Sequence, residues 1–199
     1  MDLQPFKALI FDMDGTLVDS MPLHLAAWQA VGQEFGFVCD LAWLYECGGI
    51  PSGRIALMIA DRQQLDFDPK AVAARKAALF AEQLPQVVPF AAMKHLVAGE
   101  FGRRPMAIGT GSLHRNADRI LAQTGLAAFI PVVVGADDVT AHKPAPDTFL
   151  LAAQQLGVAP ADCLVFEDTQ IGRQAAHAAG MACVLVRDGT PDWSSLSHP

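Results

Sequence analysis

The second half of the chain repeats one pattern: a short apolar stretch, a polar loop, a helical segment and a glycine. The apolar stretches that predict strands lie at residues 106–109, 130–134, 163–166 and 183–186. The helical segments between them end at Gly125, Gly157 and Gly180, each followed by an apolar residue. Glycine accepts the left-handed conformation at a helix end, and the next apolar residue packs back on the last turn. These helix ends between strands predict right-handed crossovers, and hence a doubly wound α/β fold with a parallel sheet.

A further strand is predicted near the start of the chain, at residues 8–11, where an apolar run is rich in strand formers. Roughly ninety residues separate it from the next predicted strand, far more than one crossover helix needs. Residues 22–84 in this interval have helical periodicity. We therefore expect a small helical cap, joined to the core by two chain segments that permit hinge closure. The predicted domains are an α/β core at 1–17 and 88–199 and a cap at 18–87.

The first predicted strand ends in two carboxylates, Asp12 and Asp14, followed by Gly15. Ligands collect at the carboxyl ends of parallel strands, and Mg²⁺ takes one or two protein carboxylates there. The simplest alternative is a turn, since Asp-Gly is a common turn pair. A calcium-binding loop does not fit, because the position that requires a bidentate Glu holds Leu23. The motif favours catalysis.

Composition and charge exclude several other classes of protein. The 199 residues carry a formal net charge of −7, and the longest basic cluster is the pair Arg103-Arg104, which argues against a nucleic-acid partner. No apolar run approaches the ~20 residues of a membrane span, and no secretory signal is visible. The four cysteines lack metal-site spacing and are expected to be reduced. We expect a cytoplasmic, monomeric enzyme.

Three further predicted strand ends carry polar groups that suit phosphoryl transfer. Thr110 and Ser112 offer hydroxyls and backbone amides at a helix start, although a helix cap explains them equally well. Lys143 follows the next strand and could neutralise a phosphate or an aspartate, although an isolated lysine is usually solvated. Glu167 and Asp168 repeat the opening arrangement, a buried strand that ends in acids. Together these groups predict an anion and metal site at one edge of the sheet.

These segments, in this order, resemble the haloacid dehalogenase superfamily. The matching motifs are Asp12-Met-Asp14-Gly-Thr, Gly109-Thr110-Gly, His142-Lys143-Pro-Ala-Pro and Phe166-Glu167-Asp168. The resemblance covers nearly the whole chain and is strongest to the subfamily of sugar-phosphate phosphatases and β-phosphoglucomutases with a helical cap. Within it, the Thr110 and Lys143 segments look most like the bacterial fructose-1-phosphatase type.

The resemblance implies a role for each matching residue. Asp12 would be the nucleophile that forms an aspartyl-phosphate, and Asp14 the general acid and base. Thr110 and Lys143 would bind the transferring phosphoryl oxygens. Mg²⁺ would be held by Asp12, by the backbone carbonyl of Asp14, by Asp168, and by Glu167 directly or through water. The reaction implied is magnesium-dependent hydrolysis of a small sugar phosphate.

Substrate contacts and two competing functions complete the expectations. Gly111 and Ser112 should line the rim that faces the cap, while His24, Arg54 and Lys76 are cap residues that could meet a sugar phosphate or be solvated charges. A phosphomutase would use the same aspartyl-phosphate but return the phosphoryl group to a sugar. A phospho-acceptor signalling receiver also has strand-end acids, a hydroxyl and a lysine, but has no place for a helical insertion after its first strand.

Overall fold

The structure, a computed structural model, describes residues 3–199 and consists of a central sheet, flanking helices and a helical insertion. The strands are β1 (Ala8–Phe11), β2 (Val18–Asp19), β3 (Val88–Pro89), β4 (Met106–Gly109), β5 (Val132–Val134), β6 (Cys163–Glu167), β7 (Ala182–Arg187) and β8 (Thr190–Ser197). The α-helices are α1 (Met21–Phe35), α2 (Leu41–Glu46), α3 (Ser52–Gln63), α4 (Pro69–Gln83), α5 (Ala91–Glu100), α6 (His114–Thr124), α7 (Asp147–Leu156) and α8 (Gln170–Ala178).

The main sheet has six strands in the order β5-β4-β1-β6-β7-β8, and its first five strands are parallel. Alternate side chains of β1 enter two cores. Leu9 and Phe11 pack in the core that includes residues of α5 and α6, whereas Ala8 and Ile10 pack in the core that includes residues of α7 and α8. Helices therefore cover both faces, which confirms the doubly wound α/β fold and explains why β1 is a continuous apolar run.

The sheet differs from the sequence expectation at both edges. The strand expected at 130–134 begins only at Val132, because Pro131 cannot donate to the ladder, although Ile130 is buried. At the other edge β8 pairs antiparallel with β7 and was not predicted. Its sequence, Thr190–Ser197, is rich in serine and only half-buried, so it lacks the apolar run that identifies a buried strand.

Helices α1 to α4 form the inserted unit between β1 and β4. Their apolar residues, among them Trp28, Leu44 and Ile55, pack in a cluster of their own. The two connecting segments pair as an antiparallel ribbon, with Val18 opposite Pro89. This architecture supports a cap on a two-segment hinge, and the boundaries at 18–87 stay a proposal.

The cysteines and the length of the helices bear on two expectations about the whole chain. Cys39, Cys47, Cys163 and Cys183 are all free, and all except the half-buried Cys39 are buried. Among residues 3–199, no helix combines the length and the apolarity needed to cross a membrane.

Candidate active site

The carboxyl ends of β1 and β6 bring three acids and one lysine together. Asp12 directly follows β1, Glu167 ends β6, and Asp168 follows it. Lys143 arrives from the segment between β5 and α7, where its Nζ donates to Asp12 Oδ1 at 2.6 Å and to Glu167 Oε1 at 2.9 Å. All four residues are at most 4% exposed. The sheet topology thus assembles residues that are as far as 156 positions apart in the chain, from Asp12 to Asp168.

Asp12, Glu167 and Asp168 each offer an oxygen, and these oxygens lie within 4.8 Å of one another. Glu167 Oε2 is engaged by the backbone N–H and the hydroxyl of Thr169, at 2.6 and 2.9 Å. Asp168 Oδ1 accepts from the hydroxyl of Thr16 at 3.0 Å, whereas its Oδ2 is buried and accepts nothing from residues 3–199. Asp168 therefore has a buried oxygen available for a ligand, while Glu167 is held by its neighbours.

The charges in this cluster do not balance. Burial raises the pKa of Asp12, and so do the charges of Glu167 and Asp168, against the opposing charge of Lys143. Burial and Glu167 raise the pKa of Asp168 to about 7. Burial works against the cation of Lys143, but Asp12 and Glu167 outweigh it and raise the pKa of Lys143. Three ionised carboxylates around one lysine leave two negative charges, which a divalent cation would neutralise.

Asp14 points away from this cluster and toward the cap. Its Oδ1 accepts from the hydroxyl of Ser20 at 2.6 Å, and its Oδ2 accepts from the hydroxyl of Ser112 at 2.7 Å. His24 Nε2 lies 3.3 Å from Oδ1. Burial disfavours the charge of Asp14, but His24, Ser20 and Ser112 outweigh burial and hold the pKa below its usual range. Asp14 is therefore an ionised carboxylate in this structure.

His24 connects Asp14 to a buried lysine of the cap. His24 Nδ1 lies 2.5 Å from Lys76 Nζ, and the imidazole stacks on Phe80 with 3.8 Å between ring centroids. Burial and the charge of Lys76 lower the pKa of His24, so the ring is neutral near pH 7. Because a lysine ammonium can only donate, Nδ1 is the acceptor and the proton is on Nε2, directed at Asp14. Burial lowers the pKa of Lys76 to about 8.

A cavity of about 360 Å³ lies between core and cap, and Asp12 and Asp14 are in its wall. Four of the five predicted substrate contacts line this cavity, as does Thr110. The four are Gly111, Ser112, His24 and Lys76. Thr110 is buried, and its hydroxyl accepts from the backbone N–H of Ser112 at 3.0 Å. The exception is Arg54, which is exposed and does not line the cavity.

The cap loop before α3 touches the core directly above the acids. A Cβ on Gly111 would overlap the carbonyl oxygen of Gly49 and lie 2.8 Å from its Cα. A Cβ on Gly49 would lie 2.9 Å from Cδ of Lys143. Glycine at both positions therefore lets the cap close on the core with no side chain between them.

Comparison with known proteins identifies the family. The model for haloacid dehalogenase-like hydrolases matches residues 9–186. Fructose-1-phosphate phosphatase YqaB of Escherichia coli (strain K12) is 46% identical over 182 residues, which cover 92% of this chain and 97% of the relative. The chain belongs to the haloacid dehalogenase-like hydrolases.

Solved structures of similar proteins share the architecture. A hydrolase from Pseudomonas syringae superposes with a TM-score of 0.84 at 23% identity, over 95% of this chain and 88% of that one. A putative β-phosphoglucomutase from Bacteroides vulgatus gives a TM-score of 0.82 at 27% identity, over 92% and 76%. The core and the helical insertion therefore form a fold that this hydrolase family already contains.

In this member of the family, the structure adds site residues that the sequence did not reveal. Ser20, Thr16 and Thr169 hold Asp14, Asp168 and Glu167, respectively. Ser20 and Thr169 each directly precede a helix, a position where hydroxyl residues serve as caps, so local sequence offered a different explanation for both.

Arg115 and Asn116, in the first turn of α6, line the cavity and were also missed. Tyr45 of the cap lies beside Asp168: burial and the charge of Asp168 raise its pKa. No signal in the sequence distinguished these three residues from ordinary surface positions.

Proposed function

We propose that this hydrolase is a Mg²⁺-dependent phosphatase that acts on a small sugar phosphate of the fructose 1-phosphate type. The observation that carries the proposal is the pair of aspartates at the end of β1. Asp12 is held by Lys143 in a cluster of acids, and Asp14 is held by hydroxyls and His24 on the opposite, cap-facing side. Two neighbouring carboxylates in different surroundings can serve as nucleophile and as proton carrier.

Asp12 is proposed to attack the phosphorus. Lys143 binds its Oδ1, which fixes the carboxylate and leaves Oδ2 to form the new bond as the bond from phosphorus to the sugar oxygen breaks. The Lys143 ammonium, which holds Asp12, and the hydroxyl of Thr110, which lines the cavity, are proposed to bind the oxygens of the phosphoryl group. These contacts act by positioning and by neutralising charge, which is the main requirement in phosphoryl transfer.

Asp14 is proposed to give a proton to the departing sugar oxygen and to recover one from water. Its ionised form in this structure suits the second step, in which water attacks the aspartyl-phosphate and phosphate is released. The first step needs the protonated form. A bound phosphate dianion adds negative charge beside Asp14, which raises its pKa toward that form.

A divalent cation fits the acid cluster. Asp168 Oδ2 is buried and free of hydrogen bonds from the described chain. Burial and the charge of Glu167 raise the pKa values of Asp12 and Asp168 despite the charge of Lys143, and a bound divalent cation would favour their ionised forms. Asp12, Asp168 and the backbone carbonyl of Asp14 would hold Mg²⁺, with Glu167 acting through water because both of its oxygens are already engaged. When bound, the ion supplies positive charge to the phosphoryl oxygens.

The lining of the cavity favours a substrate with one phosphate. Among the lining residues in the described chain, only Lys76 and Arg115 are lysine or arginine, and Lys76 is already paired with His24. A mutase must bind a bisphosphate intermediate, whose second phosphate needs its own cationic partners. The relative from E. coli, which is named for fructose 1-phosphate, supports the same choice. Location in the cytoplasm and a monomeric state stay predictions.

A direct test measures two products in one reaction. The purified protein with Mg²⁺ should release phosphate from fructose 1-phosphate without any bisphosphate primer. With β-glucose 1-phosphate and a trace of glucose 1,6-bisphosphate, phosphate release should exceed formation of glucose 6-phosphate. Isomerisation that outruns hydrolysis would identify a mutase, and no release from any hexose, pentose or triose phosphate would refute the proposal.

A further inference from the structure

The loop after β5 is fastened to the start of α6 by three contacts. The backbone N–H of Ala136 donates to the carbonyl of Ser112 at 2.9 Å. The backbone N–H of His114, the first residue of α6, donates to Asp137 Oδ1 at 3.0 Å. The His114 side chain completes the set, since its Nε2 lies 2.5 Å from Asp138 Oδ2. We call these contacts the α6 clasp.

Both acids of the clasp act on the same helix end. The N–H of His114 is one of the donors that a helix leaves without an internal partner, and Asp137 satisfies it with a favourable charge for a helix N-terminus. Asp138 also accepts from the backbone N–H of Gly135 at 2.8 Å, so it is fixed within its own loop. His114 is therefore bound to a rigid acceptor.

Parts of the active site lie on both sides of the clasp. Arg115 and Asn116 follow His114 in the first turn of α6 and line the cavity. Ser112 precedes it and donates its hydroxyl to Asp14 at 2.7 Å. Ala136 lines the cavity from the other loop. A shift of the first turn of α6 would therefore move groups in the wall of the cavity.

His114 sits in a negative environment. The acids that shift its pKa are Asp138 and Asp137 from the loop after β5, and Asp118 on its own helix, 3.9 Å from Nδ1. Partial burial works against the charged imidazole, but these three acids outweigh it and raise the pKa of His114. Arg115, the neighbouring cation, belongs to the cavity wall.

We propose that His114 is a positioning residue: its imidazolium, bound to Asp138, holds the first turn of α6, with Arg115 and Asn116, against the substrate. This inference rests on the proposed phosphatase function, because the KM of that reaction reports the position of the turn. His114 touches none of the reacting groups, so kcat should be independent of it.

The direction of the pH effect follows from the charge. The imidazolium form, and with it the clasp, is complete at low pH and is lost as pH rises through the raised pKa of His114. KM should therefore increase on the alkaline side. The phosphate of the substrate also titrates, near pH 6, but it does so identically for every variant. The ratio of two KM values at each pH removes that contribution.

The experiment compares KM and kcat of the wild type, His114→Gln and His114→Lys from pH 6 to pH 9. His114→Gln should raise KM about three- to fivefold at pH 6, the effect expected of a partly exposed charged pair, and leave kcat within about twofold. The difference from wild type should fade toward pH 9. His114→Lys, a cation throughout this range, should have a KM at pH 9 below that of the wild type at the same pH.

Two further variants make the result decisive. Asp138→Asn can still accept from the backbone N–H of Gly135 but has no charge, so its KM should match that of His114→Gln. If His114→Gln misfolds, Asp138→Asn still tests the inference. Asp118→Asn, which leaves all three contacts of the clasp in place, is the control and should leave kcat, and KM at pH 6, within about twofold of wild type. Folded His114→Gln and Asp138→Asn with the wild-type KM profile would overturn this inference alone. A wild type that hydrolyses no sugar phosphate would overturn the proposed function itself.

Discussion

Gly111→Ala tests whether the contact between cap and core belongs to the working enzyme. The backbone of Gly111 has no positive φ, so alanine is conformationally allowed and the effect is steric. The new Cβ would overlap the carbonyl oxygen of Gly49 and stand 2.6 Å from its carbonyl carbon, so reaching the 3.4 Å of ordinary contact requires the cap loop to retreat by at least about 0.8 Å. The hinge ribbon can supply that movement, so the fold should persist.

The loss of activity follows from the size of the retreat. A displacement of about 1 Å at a reacting centre can reduce the rate about 100-fold. We therefore expect kcat/KM of Gly111→Ala to fall about 10- to 100-fold in a phosphate-release assay, with a free energy of unfolding lowered by about 1–3 kcal/mol because the overlap is with backbone. Hydrogen exchange should show greater opening of the loop that contains Gly49.

Gly99→Ala is the matched control. Gly99 lies in α5, and a Cβ there meets nothing within 4 Å. This variant should keep full activity and gain about 0.5–1 kcal/mol of stability, because alanine favours a helix interior. Wild-type kcat/KM in a folded Gly111→Ala would refute the reasoning, since it would show that catalysis does not need the closed contact.

Three further predictions follow from the site. Chelation by EDTA, or Asp168→Ala, should reduce turnover more than about 100-fold, because several kcal/mol of charge neutralisation are lost. Ca²⁺ should not replace Mg²⁺. Full activity in excess EDTA would exclude a metal role. Activity should fall as pH rises above about 8, where Lys76 loses its proton. Lys76→Met should lower activity about tenfold and abolish this fall in activity at alkaline pH. If the fall persists in Lys76→Met, another group causes it. Gly172→Ala would place a Cβ on the carboxylate of Glu167 and should destabilise the protein by about 1–3 kcal/mol in urea denaturation, so an unchanged midpoint would mean that Glu167 is free to move.

The sequence predicted the elements whose signal is local. The strand at Ala8–Phe11 is buried on both faces, so all its residues are apolar and it can be recognised from the sequence. Gly125, Gly157 and Gly180 all have positive φ at the ends of helices. By contrast, β8 depends on pairing with β7, and a serine-rich edge strand has no apolar signature of its own.

The same distinction applies to the site. The acids at the ends of β1 and β6 could be found because each follows a strand directly. The position of Lys143 after a strand suggested that it could neutralise an aspartate, but only the family motif specified its place beside Asp12, which is 131 residues away. Arg115 and the contact between Gly49 and Gly111 depend on how the cap sits on the core, which no local pattern encodes.

The most direct measurement of the central claim is phosphate release from fructose 1-phosphate by Asp12→Asn and wild type, side by side with Mg²⁺. Asparagine is nearly isosteric with aspartate but cannot form the aspartyl-phosphate, so the variant should fold like the wild type, by circular dichroism, and show no turnover. Asp12→Asn that still turns over substrate, with an unchanged spectrum, would contradict the assignment of Asp12 as the nucleophile.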